Sequence, residues 1–294
     1  MSKKGLIGVQ MSTIAPAKMP KFDAYESMAR LADIGYKCIE ISQVPMTDEN
    51  VKGFRRAIDE LGFNVAATSA LTAANPMLPG CDMSNPDEMK KMIEDAKYLD
   101  CDLFRIGSMP MEARFSLQAA VDFAKQADEY ACQLKEHGID LYYHNHHFEF
   151  ARHDGKFLMD IIKENTKYLG FELDIHWIHR GGQDPIKFIK KYAGAVRLLH
   201  LKDYRVGELP VPEGGIDVTN RAAIMEFMKM FTGNIEFAEV GEGTLDIAGC
   251  IEAGLESGAE YFLVEQDNCY GRDPIDCLKT SRDNLIKLGY GDWF

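Results

Sequence analysis

Four short stretches carry most of the chemistry in this chain. Tyr143-His144-Asn145-His146-His147-Phe148-Glu149-Phe150, Glu172-Leu173-Asp174-Ile175-His176-Trp177, His200-Leu201-Lys202-Asp203 and Glu265-Gln266-Asp267 each place carboxylates or imidazoles where an apolar run stops. Such groups, delivered by several neighbouring segments, make a site for a divalent cation. Oxygen-rich ligation with one or two nitrogens suits Mn²⁺, Co²⁺, Zn²⁺ or Mg²⁺, and residue types alone do not choose among them. Asp174, His200 and Glu265 are three donors. For the fourth, Glu149, His144 and His146 compete. Strand alternation puts His144 and His146 on one face and Asn145 on the other, while Glu149 lies just beyond; Glu149 is preferred because a carboxylate offsets the charge of the ion.

These residues need a scaffold that brings separate strand ends together. Strand-like runs are Leu6–Gln10, Lys37–Ile41, Asn64–Thr68, Leu103–Gly107, Ile139–Asn145, Gly170–Ile175, Ala195–Leu201 and Tyr261–Glu265. Helix-length periodic segments alternate with them at Phe22–Asp33, Asn50–Leu61, Asp87–Leu99, Leu117–His137, Lys156–Asn165, Pro185–Tyr192 and Ile247–Ser257. Gly35, Gly62, Gly138 and Gly258 sit where left-handed helix C-caps belong, and Asp184-Pro185 and Asp273-Pro274 read as helix starts. Eight strands alternating with helices predict parallel βα units, and no linker-like break divides them. The expectation is a single (β/α)8 TIM barrel domain over residues 1–294, of class α/β, with the active site at the C-terminal strand ends. No GxGxxG follows Leu6–Gln10 and no GxxxxGK[ST] occurs, which argues against a doubly wound nucleotide fold. A ninth strand-like run, Ile235–Val240, follows helix-like Arg221–Met230 and is assigned to a long loop above the barrel mouth.

Composition narrows the function classes. The 294 residues include 46 acids against 33 Lys and Arg, a formal charge of −13, with no basic cluster to override it. A nucleic-acid partner is therefore not expected. No run approaches the ~20 apolar residues of a membrane span, and the N-terminal apolar run is too short for a secretory signal, so a cytoplasmic protein is expected. Seven scattered cysteines without a CxxC fit reduced core thiols.

The ordered set HNHHFEF, FELDIHW, HLKD, VGEGTLD and FLVEQD resembles the xylose isomerase-like barrel superfamily, in its sugar phosphate isomerase/epimerase branch, over essentially the full chain. The resemblance implies one catalytic metal at the barrel mouth and a carbohydrate substrate chelated through adjacent oxygens; a homo-oligomer is compatible with it. It further implies an isomerase or epimerase that removes a proton alpha to a carbonyl through a metal-stabilised enediolate. The alternative is a lyase built on the same enolisation, an inosose-type dehydratase or a β-eliminating keto-glycoside cleavage. A third reading is a non-catalytic sugar-binding barrel. An endonuclease on this barrel would need a richer ligand set and a basic face. One departure is plain: many epimerases carry a glutamate on the fifth strand where this chain has His144. Candidate bases are His144 and His146, whose ordinary pKa near ~6.5 suits proton transfer at neutral pH. Lys202, on the same side of its strand as His200, is a candidate to steady an oxyanion or, with a lowered pKa, to act as base. Trp177 offers an apolar wall to a sugar ring, and Glu242 and Arg272 lie on late loops where substrate groups would be met. Glu172 is expected to point inward and pair with an Arg or Lys.

Overall fold

The computed structural model describes residues 4–15, 22–76, 78–209 and 214–294. Its centre is a closed barrel of eight parallel strands: β1 (Leu6–Gln10), β2 (Cys38–Ile41), β3 (Asn64–Ala70), β4 (Leu103–Ile106), β5 (Asp140–His144), β6 (Gly170–Asp174), β7 (Leu198–Leu201) and β8 (Tyr261–Val264). Each strand pairs with its successor, and β8 closes on β1 from Leu6 opposite Tyr261 to Val9 opposite Val264. The expected barrel is present, with every expected strand in it.

Strand alternation sorts the barrel interior into layers. Cys38, Leu103, Tyr142, Leu198 and Leu263 form an apolar floor. Two residues further along the same strands stand Glu40, Arg105, His144, His200 and Glu265, all buried. On β6 the inward positions are Gly170, Glu172 and Asp174. Gly170 has no side chain because the Tyr142 ring fills that place, and a Cβ there would collide with it. The interior therefore changes from apolar to ionic within one inward step, toward the C-terminal end of the barrel.

An outer ring of helices covers the strands: α1 (Ala24–Asp33), α2 (Asp48–Leu61), α3 (Pro86–Tyr98), α4 (Leu117–Lys135), α5 (Leu158–Glu164), α6 (Ile175–Arg180), α7 (Pro185–Lys191), α8 (Arg221–Gly233), α9 (Ile247–Ser257) and α10 (Pro274–Leu285). Asp184 and Asp273 cap α7 and α10, accepting from Lys187 N at 3.2 Å and Ile275 N at 2.9 Å, with Pro as the first helical residue of each. The four predicted cap glycines all take positive φ, from 73° at Gly62 to 109° at Gly258. The run after β7 lies outside the barrel: Ile235–Ala238 pairs antiparallel with Asp203–Val206 in a two-stranded ribbon. Helix α8, between the two ribbon strands, buries none of its residues. No helix among the described residues is long and apolar enough to cross a membrane.

Candidate metal centre

Asp174 ends β6 and immediately caps α6. Its Oδ1 accepts from Trp177 N at 3.0 Å, and its own N–H donates to Asn145 Oδ1 at 3.0 Å. Both contacts fix the carboxyl plane and leave Oδ2 facing the barrel interior, with the Lys202 ammonium at 3.3 Å and His200 Nδ1 at 3.8 Å. Ligand-capable atoms of His144, Asp174, His200 and Glu265 all lie within 4.8 Å of one another, and all four residues are buried. A buried carboxylate is costly unless positive charge meets it, and in the metal-free chain Lys202 and His200 supply it. Two imidazoles and two carboxylates gathered this closely could hold a divalent ion.

Beneath this group lies a buried ionic layer. Arg105 Nε stands 2.7 Å from Glu172 Oε2 and 3.2 Å from Glu40 Oε1, so Glu172 is inward and paired with arginine as the sequence suggests. His200 is held from both sides, with Nε2 3.0 Å from Glu40 and 3.2 Å from Glu172, and Nδ1 2.9 Å from Glu265 and 3.8 Å from Asp174. Burial opposes its imidazolium, but Glu172, Glu40 and Glu265 outweigh burial and hold its pKa well above the ordinary histidine range in the metal-free chain. His144 behaves oppositely: burial, then the Arg105 and His200 charges, holds it well below that range. Burial also pushes His146 down to about 3, with Lys202 and Arg105 acting in the same sense. Asp174 is pushed up to about 6 by burial, against the pull of Lys202 and His200.

Lys202 is almost fully buried and extends its Nζ to Glu265 at 2.8 Å, Asp267 at 3.0 Å and Asp174 at 3.3 Å. Burial disfavours its charge, yet Glu265, Asp174 and Asp267 raise its pKa above the usual lysine value. The ammonium is thus a fixed positive charge, which removes the reading of Lys202 as a base with a lowered pKa. Trp177 lies beside it, with Nζ 5.2 Å from the ring centroid, and the rings of His146, His147, His176 and Phe237 pack around the indole.

The structure places three of the expected site residues away from this group. Glu149 is fully buried but belongs to a different contact: it accepts from Tyr143 Oη at 2.5 Å and from His146 N at 2.9 Å, and His144 takes the fourth place in the ligand group. Burial lifts the Glu149 carboxyl to about 7, against the Tyr143 hydrogen bond. The charge argument for Glu149 neglected that two donors beside it already occupy both its oxygens. Glu242 is exposed and accepts from Asn284 Nδ2 at 2.8 Å, and Arg272 pairs with Glu239 at 2.6 Å. Neither lines the cavity above the ligand group.

The VGEGTLD segment has a structural partner that sequence reading missed. The Asp203 carboxylate accepts from the N–H groups of Tyr204 at 2.8 Å, Gly241, Gly243 and Thr244 at 3.1 Å and Leu245 at 3.2 Å. A Cβ at Gly243 would run into that carboxylate, so glycine is required by the close approach. The last Asp of HLKD and the glycines of VGEGTLD therefore form one clamp between the ribbon and α9.

A cavity of about 520 Å³ opens over the ligand group. Gln10, Ser42, Ser69, Arg105, His144, His146, Lys202, Glu265 and Asp267 line its inner part. The loops after β3 and β4 line most of the rest, outside the four stretches that carry the sequence signal. Ser12 donates to Glu265 Oε1 at 2.7 Å, another partner with no signal beyond its place after β1.

Comparison with known proteins agrees with this architecture. A structure of a sugar phosphate isomerase/epimerase from Parabacteroides distasonis superposes with a TM-score of 0.64 at 20% identity, covering 97% of this chain and 95% of that one. The IOLI protein, solved with a bound zinc atom, superposes with a TM-score of 0.60 at 14% identity, covering 98% and 99%. At these identities the likeness establishes the fold. An inosose dehydratase from Clostridium perfringens is 37% identical over 73 residues, 24% of this chain and 24% of that protein's length. Residues 28–282, most of the barrel, match the family described as xylose isomerase-like TIM barrel, and the chain belongs to that family.

Proposed function

We propose that the chain is a divalent-metal-dependent isomerase or epimerase of a sugar or keto-sugar that works by removing a proton alpha to a carbonyl. The observation that carries this reading is the convergence of the buried His144, Asp174, His200 and Glu265 beneath a polar cavity. When bound there, a divalent ion would supply a Lewis acid that polarises the carbonyl and makes the adjacent C–H acidic. Two imidazoles in the set favour Zn²⁺, Co²⁺ or Mn²⁺ over Mg²⁺.

The remaining steps fall to side chains. The Lys202 ammonium, fixed by three carboxylates, meets negative charge developing on a substrate oxygen, and its enclosure strengthens that contact. His146 lines the cavity and is neutral at physiological pH, with a buried Nδ1 that has no partner. The ring is a hydrogen-bond partner for a substrate hydroxyl; held at about 3 it is too weak a base to take the substrate proton at neutral pH. Trp177 and Phe148 flank the His146 ring and hold its plane, with Phe148 stacked on it at 5.9 Å. Arg105, Glu40 and Glu172 orient His200 from below.

A second reading keeps the same first step and ends in elimination, as in a dehydratase. The local likeness to inosose dehydratase supports it. Incubating the metal-loaded protein with a keto-sugar panel in D₂O and following products by NMR separates the two. The proposal expects solvent deuterium at the carbon alpha to the carbonyl in a product that keeps all its substituents. Deuterium accompanied by loss of water or aglycone establishes the lyase, and no exchange with any substrate contradicts both.

A further inference from the structure

Helix α8, which stands between the two ribbon strands, is apolar on more than one side. Ala223, Phe227 and Met230 make its half-buried face. The face turned away from them shows Ile224, Met225, Met228 and Phe231 to solvent, from 38% exposed at Ile224 to 62% at Met225. Spacings of three and four residues join these side chains into one stripe. Val206 on the ribbon and Val218 before α8 are exposed as well. A helix that is apolar all round belongs inside an assembly, and a contiguous apolar patch marks a protein interface.

Charge selects the occupant. At −13 overall, two copies of this chain repel each other across most of their surfaces. Helix α8 lacks that acid excess: its charged residues are Arg221, Glu226 and Lys229. The ribbon's own ion pair, Arg205 with Glu236 at 3.4 Å, leaves exposed Glu226 and Lys229 without a charged partner among the described residues. An antiparallel pair of α8 helices, related by a two-fold axis between residues 227 and 228, supplies those partners. It sets Glu226 opposite the second copy's Lys229 and Ile224 opposite its Phe231, and the symmetry makes each contact twice. Met225 and Met228 lie beside the axis, where flexible side chains pack readily against their own copies. One register thus satisfies both the apolar stripe and the charges beside it. We propose that α8 is the interface of a homodimer in which the two helices pair antiparallel in this register. Phe237 of the ribbon packs 5.0 Å from the His176 ring and 6.2 Å from Trp177, so the pair joins two barrels beside their mouths.

Sedimentation velocity of the full chain at low ionic strength, from about 1 to about 100 μM, tests this. A pair of 13-residue helices buries less than the about 1,600 Å² of a standard interface, so a micromolar dissociation constant is expected. Glu226→Lys and Lys229→Glu lie on the surface, outside the core. Each turns two attractions into two repulsions and is expected to weaken the dimer about tenfold or more. Mixing the two variants restores opposite charges at both contacts, so dimer is expected to return as a mixed species. The double variant is expected to dimerise like the wild type, and Met228→Asp, which sets two carboxylates beside the axis, is expected to be monomeric. A wild-type chain that stays monomeric throughout would overturn the proposal and leave the stripe to a protein of another sequence. Charge variants that dimerise as the wild type does, or weakened variants that fail to recover on mixing, would overturn it equally.

Discussion

Asp174 and Asp203 are two buried carboxylates at the ends of neighbouring barrel strands, and they have opposite surroundings. Asp203 has both oxygens filled by five backbone N–H groups from its own turn and from residues 241–245. Asp174 has one oxygen spent on capping α6 and the other aimed at two imidazoles, a second carboxylate and the Lys202 ammonium 3.3 Å away. A carboxylate whose lone pairs are all met is a fastening. One met by a side-chain ammonium and imidazoles can exchange that positive charge for a metal ion. The local sequences, LDIH and LKDY, do not distinguish them.

The comparison breaks most decisively at Asp174. Asn keeps the oxygen that caps Trp177 N and loses the charge, so Asp174→Asn is expected to fold while losing its metal and at least about 10³-fold in turnover. Elemental analysis beside the NMR rate checks this, and retained metal would detach Asp174 from the ligand group. Lys202→Met comes next. Turnover is expected to drop by about 10²–10³ through loss of oxyanion stabilisation. Metal content is expected to be unchanged or higher, because the ammonium no longer competes for Glu265 and Asp174.

At Asp203 the expected effect lies on stability. Asp203→Ala leaves several amides unpaired and is expected to cost about 2–4 kcal/mol in denaturant unfolding, with metal stoichiometry unchanged in the folded fraction. A substitution there that removed metal without destabilising would erase the contrast between the two carboxylates.

Glu149 sharpens the comparison through pH. Its folded carboxyl titrates at about 7, above the unfolded value near ~4.3, so the folded state binds the extra proton. Stability from this group is full below about pH 4 and is lost as pH rises through 7, to a total of about 4 kcal/mol. Glu149→Gln is expected to flatten that fall between pH 5 and 8 in unfolding curves, with the wild type the steeper of the two. Parallel curves would mean that Glu149 is ionised in the folded protein.

Much of the barrel was legible because its inward positions recur every second residue along each strand. That rule gives Tyr142 and His144 one face, Leu198, His200 and Lys202 another, and Leu263 with Glu265 a third. Applied strictly it also selects His144 over Glu149, which lies past the strand end, and the preference for a carboxylate overrode it. Helix α6 escaped notice because Asp174 ends a strand and caps a helix with no loop between them, so no turn signal marks the change. The ion partners of Glu172 needed long-range pairing: Arg105 lies 67 residues away in sequence and His200 shares its carboxylate from another strand. The Asp203 clamp was hidden for the same reason, its donors being backbone amides that carry no residue signature. Glu242 and Arg272 drew attention as charged residues on late loops, yet their partners, Asn284 and Glu239, hold them outside the cavity.

The central claim is that four side chains from β5, β6, β7 and the end of β8 share one cation. An anomalous difference map from crystals of the Zn²⁺- or Mn²⁺-loaded protein, recorded at the absorption edge of the metal, tests it directly. The account predicts one strong peak bounded by His144, Asp174, His200 and Glu265, with Glu149 still on Tyr143. A peak coordinated by Glu149, or a ligand group in which Lys202 retains Asp174 and Glu265 and no metal enters, would contradict it.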